Sequence, residues 1–279
     1  MILVTGASGN VGRELVRQLI QMGERVRVMT REPARVATLG ASECVVADLD
    51  VPSSLPQALS GVRRAFLVTM GFGTAQDQAF VREAVRSGVE HVVRLSTIDA
   101  TEAKLTIGKW HKEKDELLEN SGLSWTVLRP GMFMSNALHW VSSIKGTGGV
   151  FFPGGKGRVV PIDPLDVARV AARVLTQPGH EQLRYELTGP ELTSTEEMVA
   201  TLARVLHRSL KYRDVPIFLA KFFMRRNGMD RRLAAAMGEL ALSLRRGEQS
   251  KQTTTVASLV GDAGATFEQW CERNRAALS

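Results

Sequence analysis

Three glycines at intervals of three, in Gly6-Ala7-Ser8-Gly9-Asn10-Val11-Gly12, follow a short β-branched run from Ile2 to Thr5 and open an amphipathic segment at Val11. Between a strand and a helix each glycine has a mechanical use. Gly6 permits the tight turn, Gly9 lets the backbone approach a pyrophosphate, and Gly12 lets helix and strand pack closely. The helix start then offers free N–H groups and a partial positive charge to phosphates, with Ser8, Asn10 and Val11 on the same turn. This arrangement predicts dinucleotide binding. A turn that bound nothing would carry three flexible glycines with no structural gain.

The end of the second strand selects the dinucleotide, because an NAD site places an acid there for the ribose hydroxyls. This chain reads Val28-Met29-Thr30-Arg31-Glu32. Arg31 is placed to pair with a 2′-phosphate, with Arg35 one turn later, so NADP(H) is expected over NAD(H). The alternative has Glu32 turn in to the ribose and leaves Arg31 a surface charge. Asp48 and Leu49 end the third strand, where they could flank the adenine, although Asp48 could equally cap the turn that follows.

In a doubly wound sheet the ligand crosses the carboxyl ends of the strands. Three such ends should face the nicotinamide: Thr69-Met70-Gly71-Phe72, Ser96-Thr97, and Pro130-Gly131-Met132-Phe133 with Asn136 just beyond. Thr69, Met70, Ser96, Pro130, Met132 and Phe133 are assigned to the cofactor, and Gly71, Phe72, Thr97, Phe133 and Asn136 to a substrate. The set is mostly apolar with two hydroxyls, which suits a hydride site that excludes water. Ser96 or Thr97 could donate to a developing oxyanion.

Taken together, Val4 to Gly12, Val28 to Arg31, Ala47-Asp48-Leu49, Leu95-Ser96-Thr97, Thr126 to Asn136, Pro161-Ile162-Asp163, Asp166-Val167-Ala168 and Leu187 to Glu191 resemble the NmrA-like, or atypical, short-chain dehydrogenase/reductases. The stretch from His111 through Glu119 to Ser121-Gly122-Leu123 fits the same pattern. The resemblance spans about residues 1 to 215. It implies a Rossmann-type fold, an NAD(P)H cofactor, and one of two functions: reduction of a quinone, azo, iminium or conjugated carbonyl acceptor, or regulation through NADP(H) sensing and a protein partner. The Tyr-x-x-x-Lys pair of the larger superfamily is missing, since its register falls on Ile107 and His111. Ile107 has no proton to give. His111 takes the lysine-like place, where an imidazole could bond the ribose or donate a proton near neutral pH. Without the tyrosine, reduction of an electron-poor acceptor is the easier reaction, with catalysis assigned to His111 and Ser96.

These groups need a scaffold. Through residue 130, short β-branched runs alternate with helical segments at Val11 to Met22, Ala75 to Ser87 and His111 to Ser121, which predicts an α/β fold: a doubly wound parallel sheet with a smaller, mainly helical C-terminal part. The division expected is 1–150 for the NAD(P)-binding domain, with parts of 158–190 returning to it, and 151–279 for the substrate part. A helix is expected over Met132 to Ile144, and a loop or hairpin over the glycine-rich Gly146 to Gly157. Helices follow from Pro164 with Asp163 as cap and over Thr195 to Leu206, with an edge strand at Tyr185 to Thr188 between them. Two more break at Asn227-Gly228 and are read as a lid whose apolar faces carry Phe218, Phe222 and Phe223. The tail from Thr253 to Gly264 reads as loosely ordered, with a final helix over Phe267 to Leu278.

Of 279 residues 44% are hydrophobic, enough to exclude a disordered chain. Two cysteines, Cys44 and Cys271, cannot build a disulfide framework or a zinc cluster, so no metal is expected and a cytoplasmic location fits. No apolar run is long enough to span a membrane. The formal charge of +7 concentrates in residues 204–251, which hold twelve Lys and Arg against four acids. These basic residues alternate with apolar ones at helical spacing, the mark of a solvated helix face rather than of a nucleic-acid surface. The expected partner is a small apolar or aromatic molecule, and the expected state a monomer or homodimer.

Overall fold

Up to residue 130 the chain alternates strand and helix as its hydrophobic periodicity requires. The computed structural model describes residues 1–279, beginning β1 (Ile2–Val4), α1 (Asn10–Gln21), β2 (Val26–Thr30), β3 (Glu43–Val46), α2 (Leu55–Leu59), β4 (Arg64–Leu67), α3 (Ala75–Arg86), β5 (His91–Leu95), α4 (Thr106–Glu119) and β6 (Ser124–Pro130). Then come α5 (Val141–Thr147), β7 (Gly149–Phe152), β8 (Arg158–Val159), α6 (Pro164–Thr176), β9 (Leu183–Leu187), β10 (Thr193–Ser194), α7 (Thr195–Leu206) and β11 (Lys211–Asp214). The chain ends in α8 (Ile217–Arg226), α9 (Arg231–Arg245), α10 (Thr255–Val260), α11 (Phe267–Arg273) and α12 (Arg275–Leu278).

Seven strands form one sheet in the order β3-β2-β1-β4-β5-β6-β9, every pair parallel. Parallel strands need crossovers, and these cover both faces, so the central strands are mostly apolar, with Arg94 and Arg129 as buried exceptions. On one face Leu15, Val16 and Leu19 of α1 meet Val167, Val170 and Val174 of α6. On the other, Leu55, Phe80 and Leu118 of α2, α3 and α4 form a second core. A third core lies outside the sheet, where Trp140, Met198, Leu202, Leu244, Phe267 and Trp270 pack together around Cys271. Cys44 and Cys271 are both free thiols.

The chain departs from its sequence-based expectation in several places, each with a local cause. Helix α4 begins at Thr106 rather than His111. Gly108 lets its first turn lie on the Asp99 carbonyl, which a Cβ would approach to 2.3 Å. Met132 to Ile144 does not form one helix: Phe133 pairs with Ile162 in a parallel bridge, and a tight 3-10 stretch, Met134–Trp140, precedes α5. The glycine-rich segment is no hairpin, because β7 pairs in parallel with the distant β11 and buries Val150. The tail from Thr253 is fixed. The Thr253 amide donates to the Thr188 hydroxyl at 2.9 Å, its hydroxyl donates to the Glu186 carbonyl at 3.1 Å, and Val256 of α10 is buried against α6. Conversely, α8 has no buried residue, and Phe218, Phe222 and Phe223 are all exposed.

Candidate active site

In this strand order the chain leaves β1 toward β2 and β3 on one side and returns to β4 on the other, so a crevice opens where β1 and β4 end. The glycine turn fills one wall of it. Gly6 holds φ +63°, in the left-handed region that favours glycine, and a Cβ on it would come within 3.2 Å of the Val68 Cβ. The constraint is harder at Gly12, where a Cβ would lie 2.2 Å from the Gly6 carbonyl oxygen. Gly9 donates its amide to that same oxygen at 2.9 Å and forms the N-cap of α1. No side chain caps α1 and no acid sits in its first turn. A twelve-residue helix therefore aims its first free amides and its positive end at the crevice, a donor set that fits a phosphate.

Ser8 is half-buried, Asn10 is exposed, and Val11 is buried behind them. The Asn10 amide reaches across the crevice to the Ser135 hydroxyl at 3.0 Å, joining the glycine turn to the segment after β6. Arg31 stands exposed at the end of β2, its guanidinium 3.9 Å from Asp48 Oδ2. Asp48 accepts the Asp50 amide at 3.0 Å, which is the turn-capping geometry, while Leu49 packs partly into the second core.

At the other wall the predicted residues divide. Thr69 is buried and donates to Asp77 Oδ1 at 3.1 Å. Met70 is exposed, Gly71 takes φ +79°, and Phe72 rests edge-on against Trp110 of α4 with ring centroids 4.6 Å apart. Thr97 turns its hydroxyl to Asp99 Oδ2 at 3.4 Å. Pro130 closes the β6 ladder beside Leu187, Phe133 is held by its bridge to Ile162, and Asn136 is exposed. Ser96 corrects the expectation of an oxyanion donor: its proton goes to Asp115 Oδ2 at 2.9 Å in a buried setting, which leaves the hydroxyl as an acceptor.

Asp115 belongs to a buried ionic network beneath this wall that the sequence reading missed. Arg94, in the middle of β5 and fully buried, donates to Asp77 at 3.1 Å and to Asp115 at 3.3 Å. Arg129 of β6 adds two bonds to Asp115 at 3.2 and 3.0 Å. Lys114, also buried, approaches Asp77 Oδ2 at 3.9 Å. Burial lowers the Lys114 ammonium pKa from its usual range and raises that of the Asp115 carboxyl. The signal was present in the sequence. Arg94 interrupts the apolar run His91-Val92-Val93-Arg94-Leu95, and an arginine inside a parallel strand has both faces buried, so it must find partners.

His111 lies on the same face of α4, one turn before Lys114. Burial, with help from the charges of Arg94 and Lys114, drives its pKa down to about 3, so the imidazole is neutral at physiological pH. That corrects the expectation of an imidazolium proton donor near neutrality. Its Nδ1 is buried without any hydrogen-bond partner, one of two such side-chain atoms in the molecule, the other being Asp77 Oδ2. A buried ring nitrogen without a partner fits a bond to a hydroxyl or amide of a bound ligand.

Beyond β5, β6 and β9 a cavity of about 300 Å3 opens between Ile98, Leu105, Met132 and Val159 and the C-terminal residues Ser243 and Gln249. Its lining is more polar than the sequence suggests. Asp99, Glu102, Glu186 and Glu248 share it with Lys104 and Lys251, and Gln249 donates to Asp99 at 3.0 Å.

A doubly wound parallel sheet with an uncapped glycine turn at its switch point defines a dinucleotide-binding protein. The family model described as NAD(P)H-binding matches residues 6–178, and the chain belongs to that family, within the NmrA-like atypical short-chain dehydrogenase/reductases. Among its relatives is an NAD(P)H azoreductase of Xenophilus azovorans, 34% identical over 286 residues that cover 100% of this chain and 99% of that one. A (4-alkanoyl-5-oxo-2,5-dihydrofuran-3-yl)methyl phosphate reductase of Streptomyces griseus is 34% identical over 282 residues, with 100% and 99% covered. An NADPH-dependent quinone oxidoreductase of Escherichia coli, solved with NADPH, superposes with a TM-score of 0.86 at 24% identity, over 98% of this chain and 99% of that one. No helix is long and apolar enough to cross a membrane.

Proposed function

We infer that the chain is an NAD(P)H-dependent oxidoreductase that reduces a small aromatic or conjugated acceptor, with NADPH as the preferred reductant. The observation that carries this reading is the uncapped start of α1 behind Gly6, Gly9 and Gly12, opposite a wall with no tyrosine at the superfamily's acid position. End-to-end relatives named azoreductase and dihydrofuran phosphate reductase support the reaction class.

The cofactor, when bound, supplies the hydride. The first amides of α1 would hold its pyrophosphate, with Gly9 leaving room for the close approach, Arg31 would pair with the 2′-phosphate, and Asp48 and Leu49 would border the adenine. His111 accepts or donates one hydrogen bond at the orphaned Nδ1, toward the nicotinamide ribose, and stays neutral throughout. Thr69, Met70, Ser96, Pro130, Met132 and Phe133 line the nicotinamide, while Gly71, Phe72, Thr97, Phe133 and Asn136 meet the acceptor. Residues 151–279, apart from α6, β9 and α10, which pack with the sheet, supply the outer wall of the acceptor side. Reduction of a quinone, azo or enone acceptor consumes one hydride and one proton, and that of an iminium the hydride alone; with His111 neutral the proton comes from solvent.

Mixing the protein with NADPH and, in turn, quinones, azo dyes, iminium compounds and enones tests this. The expected result is oxidation of NADPH in step with acceptor loss for at least one class. Tight NADPH binding with no oxidation by any class would replace the enzyme with a cofactor-sensing regulator.

A further inference from the structure

The loop from Thr69 to Thr74 forms the acceptor-side wall, yet few of its own backbone groups hold it. The Met70 amide donates to Gln76 Oε1 at 2.9 Å, and Phe72 rests on Trp110. One buried side chain reaches the loop from beneath. The Lys114 ammonium, on a residue 2% exposed, donates to the Gly71 carbonyl at 3.1 Å and lies 3.5 Å from the Thr69 hydroxyl. Lysine is seldom buried unless its charge is answered. Here the answering group is Asp77, whose Oδ1 already holds Arg94 and Thr69 and whose Oδ2, 3.9 Å from the ammonium, lies beyond hydrogen-bond reach of it. With Arg94 and Arg129 present, Asp77 and Asp115 have a cation each without Lys114. The lysine is surplus to charge balance, and what it uniquely touches is the loop carbonyl.

We propose that Lys114 is a positioning residue for the acceptor, latching the Gly71 carbonyl so that Gly71 and Phe72 stay fixed against α4. Gly71 is held at φ +79° by this bond while Phe72 is pinned to Trp110 two residues from the loop's exposed Met70. Both anchors belong to α4, the helix that carries His111, so acceptor wall and cofactor contact share one support. The acceptor role of the latch rests on the reductase reading above; the latch itself does not.

Two readouts on Lys114→Met separate them. Hydrogen–deuterium exchange of residues 69–74 should speed up about tenfold, as expected when one charge-assisted bond is lost. In turnover, KM for the acceptor should rise about tenfold while kcat at saturation and Kd for NADPH stay within about twofold, and Lys114→Arg should restore most of the loss. If Lys114→Met does not fold, Lys114→Gln, which removes the charge and falls one atom short of the Gly71 carbonyl while leaving Asp77 with Arg94 and Thr69, is read the same way. Unchanged exchange in the loop overturns the latch whether or not the protein is an enzyme. Faster exchange with unchanged acceptor KM, or an equal loss in NADPH Kd, overturns the positioning role. A wild type that oxidises no NADPH defeats the reductase reading alone, and the exchange result still stands.

Discussion

At the end of β1 the glycine turn is held by backbone against backbone: Gly9 donates to the Gly6 carbonyl, and Gly12 leaves no room for a Cβ between that carbonyl and α1. At the end of β4 the facing loop is held by side chains from other elements, with Lys114 on its carbonyl, Trp110 on Phe72, and Asp77 and Arg94 beneath. Backbone apposition makes the first wall rigid and indifferent to acceptor identity, as a common cofactor requires. Side-chain support makes the second wall adjustable by substitution, which suits a family whose members reduce different acceptors.

Disturbing each wall should therefore give different signatures. The largest effect is expected from Arg94→Met, which leaves Asp77 only the Lys114 ammonium at 3.9 Å and strips one of two cations from Asp115 in the interior; urea unfolding should show a loss of about 3–5 kcal/mol. Gly12→Val forces the Gly6 carbonyl away and should cost about 3 kcal/mol in the same assay through overpacking. It should also abolish NADPH binding in calorimetry. Retained binding would mean the first wall is softer than its contacts indicate. Arg31→Ala should weaken NADPH by about 1.5–3 kcal/mol, the value of a hydrogen bond to a charged group, and leave NADH unchanged. Equal loss for both coenzymes would assign Arg31 to the shared phosphates instead.

The effect that is smallest at neutral pH is a pH dependence of stability. His91 and His111 have folded pKa values of about 4 and about 3, both below the unfolded value, so the unfolded chain binds more protons between those values and 6.5. Their stabilisation is complete above pH 6.5 and drains away as pH falls toward 4 and 3. His91→Gln should flatten part of that slope, by about 3 kcal/mol at pH 4. A slope unaltered by this substitution and by His111→Gln would mean that both rings protonate freely in the fold.

What was readable in the sequence follows the same divide. The first wall is local: strand, glycines and helix are contiguous, so spacing alone placed Gly6, Gly9 and Gly12. The doubly wound parallel sheet followed from the strand and helix alternation, since such a pattern calls for parallel pairing and two-sided cover. The second wall is assembled across long separations, with Asp77, Arg94, Lys114 and Arg129 drawn from four elements, and periodicity does not report on partners. The interruption of β5 by Arg94 was the available clue. The parallel pairing of β7 with β11 was likewise hidden, because glycine-rich flanks imitate a turn. The polar cavity was missed because acids such as Glu186 and Glu248 read as surface charge until the C-terminal segment folds back over them.

The central claim, that this fold passes hydride from a dinucleotide held at α1 to an acceptor at the facing wall, is tested most directly by isotope transfer. NADPH deuterated at the transferring C4 position is mixed with the protein and a conjugated enone, and the product is analysed by mass spectrometry and NMR. Deuterium bound to the β-carbon of the saturated product, in step with NADP+ formed, is the predicted result. Product that carries no deuterium at carbon, or NADPH that remains unoxidised in the presence of every acceptor class, would contradict it.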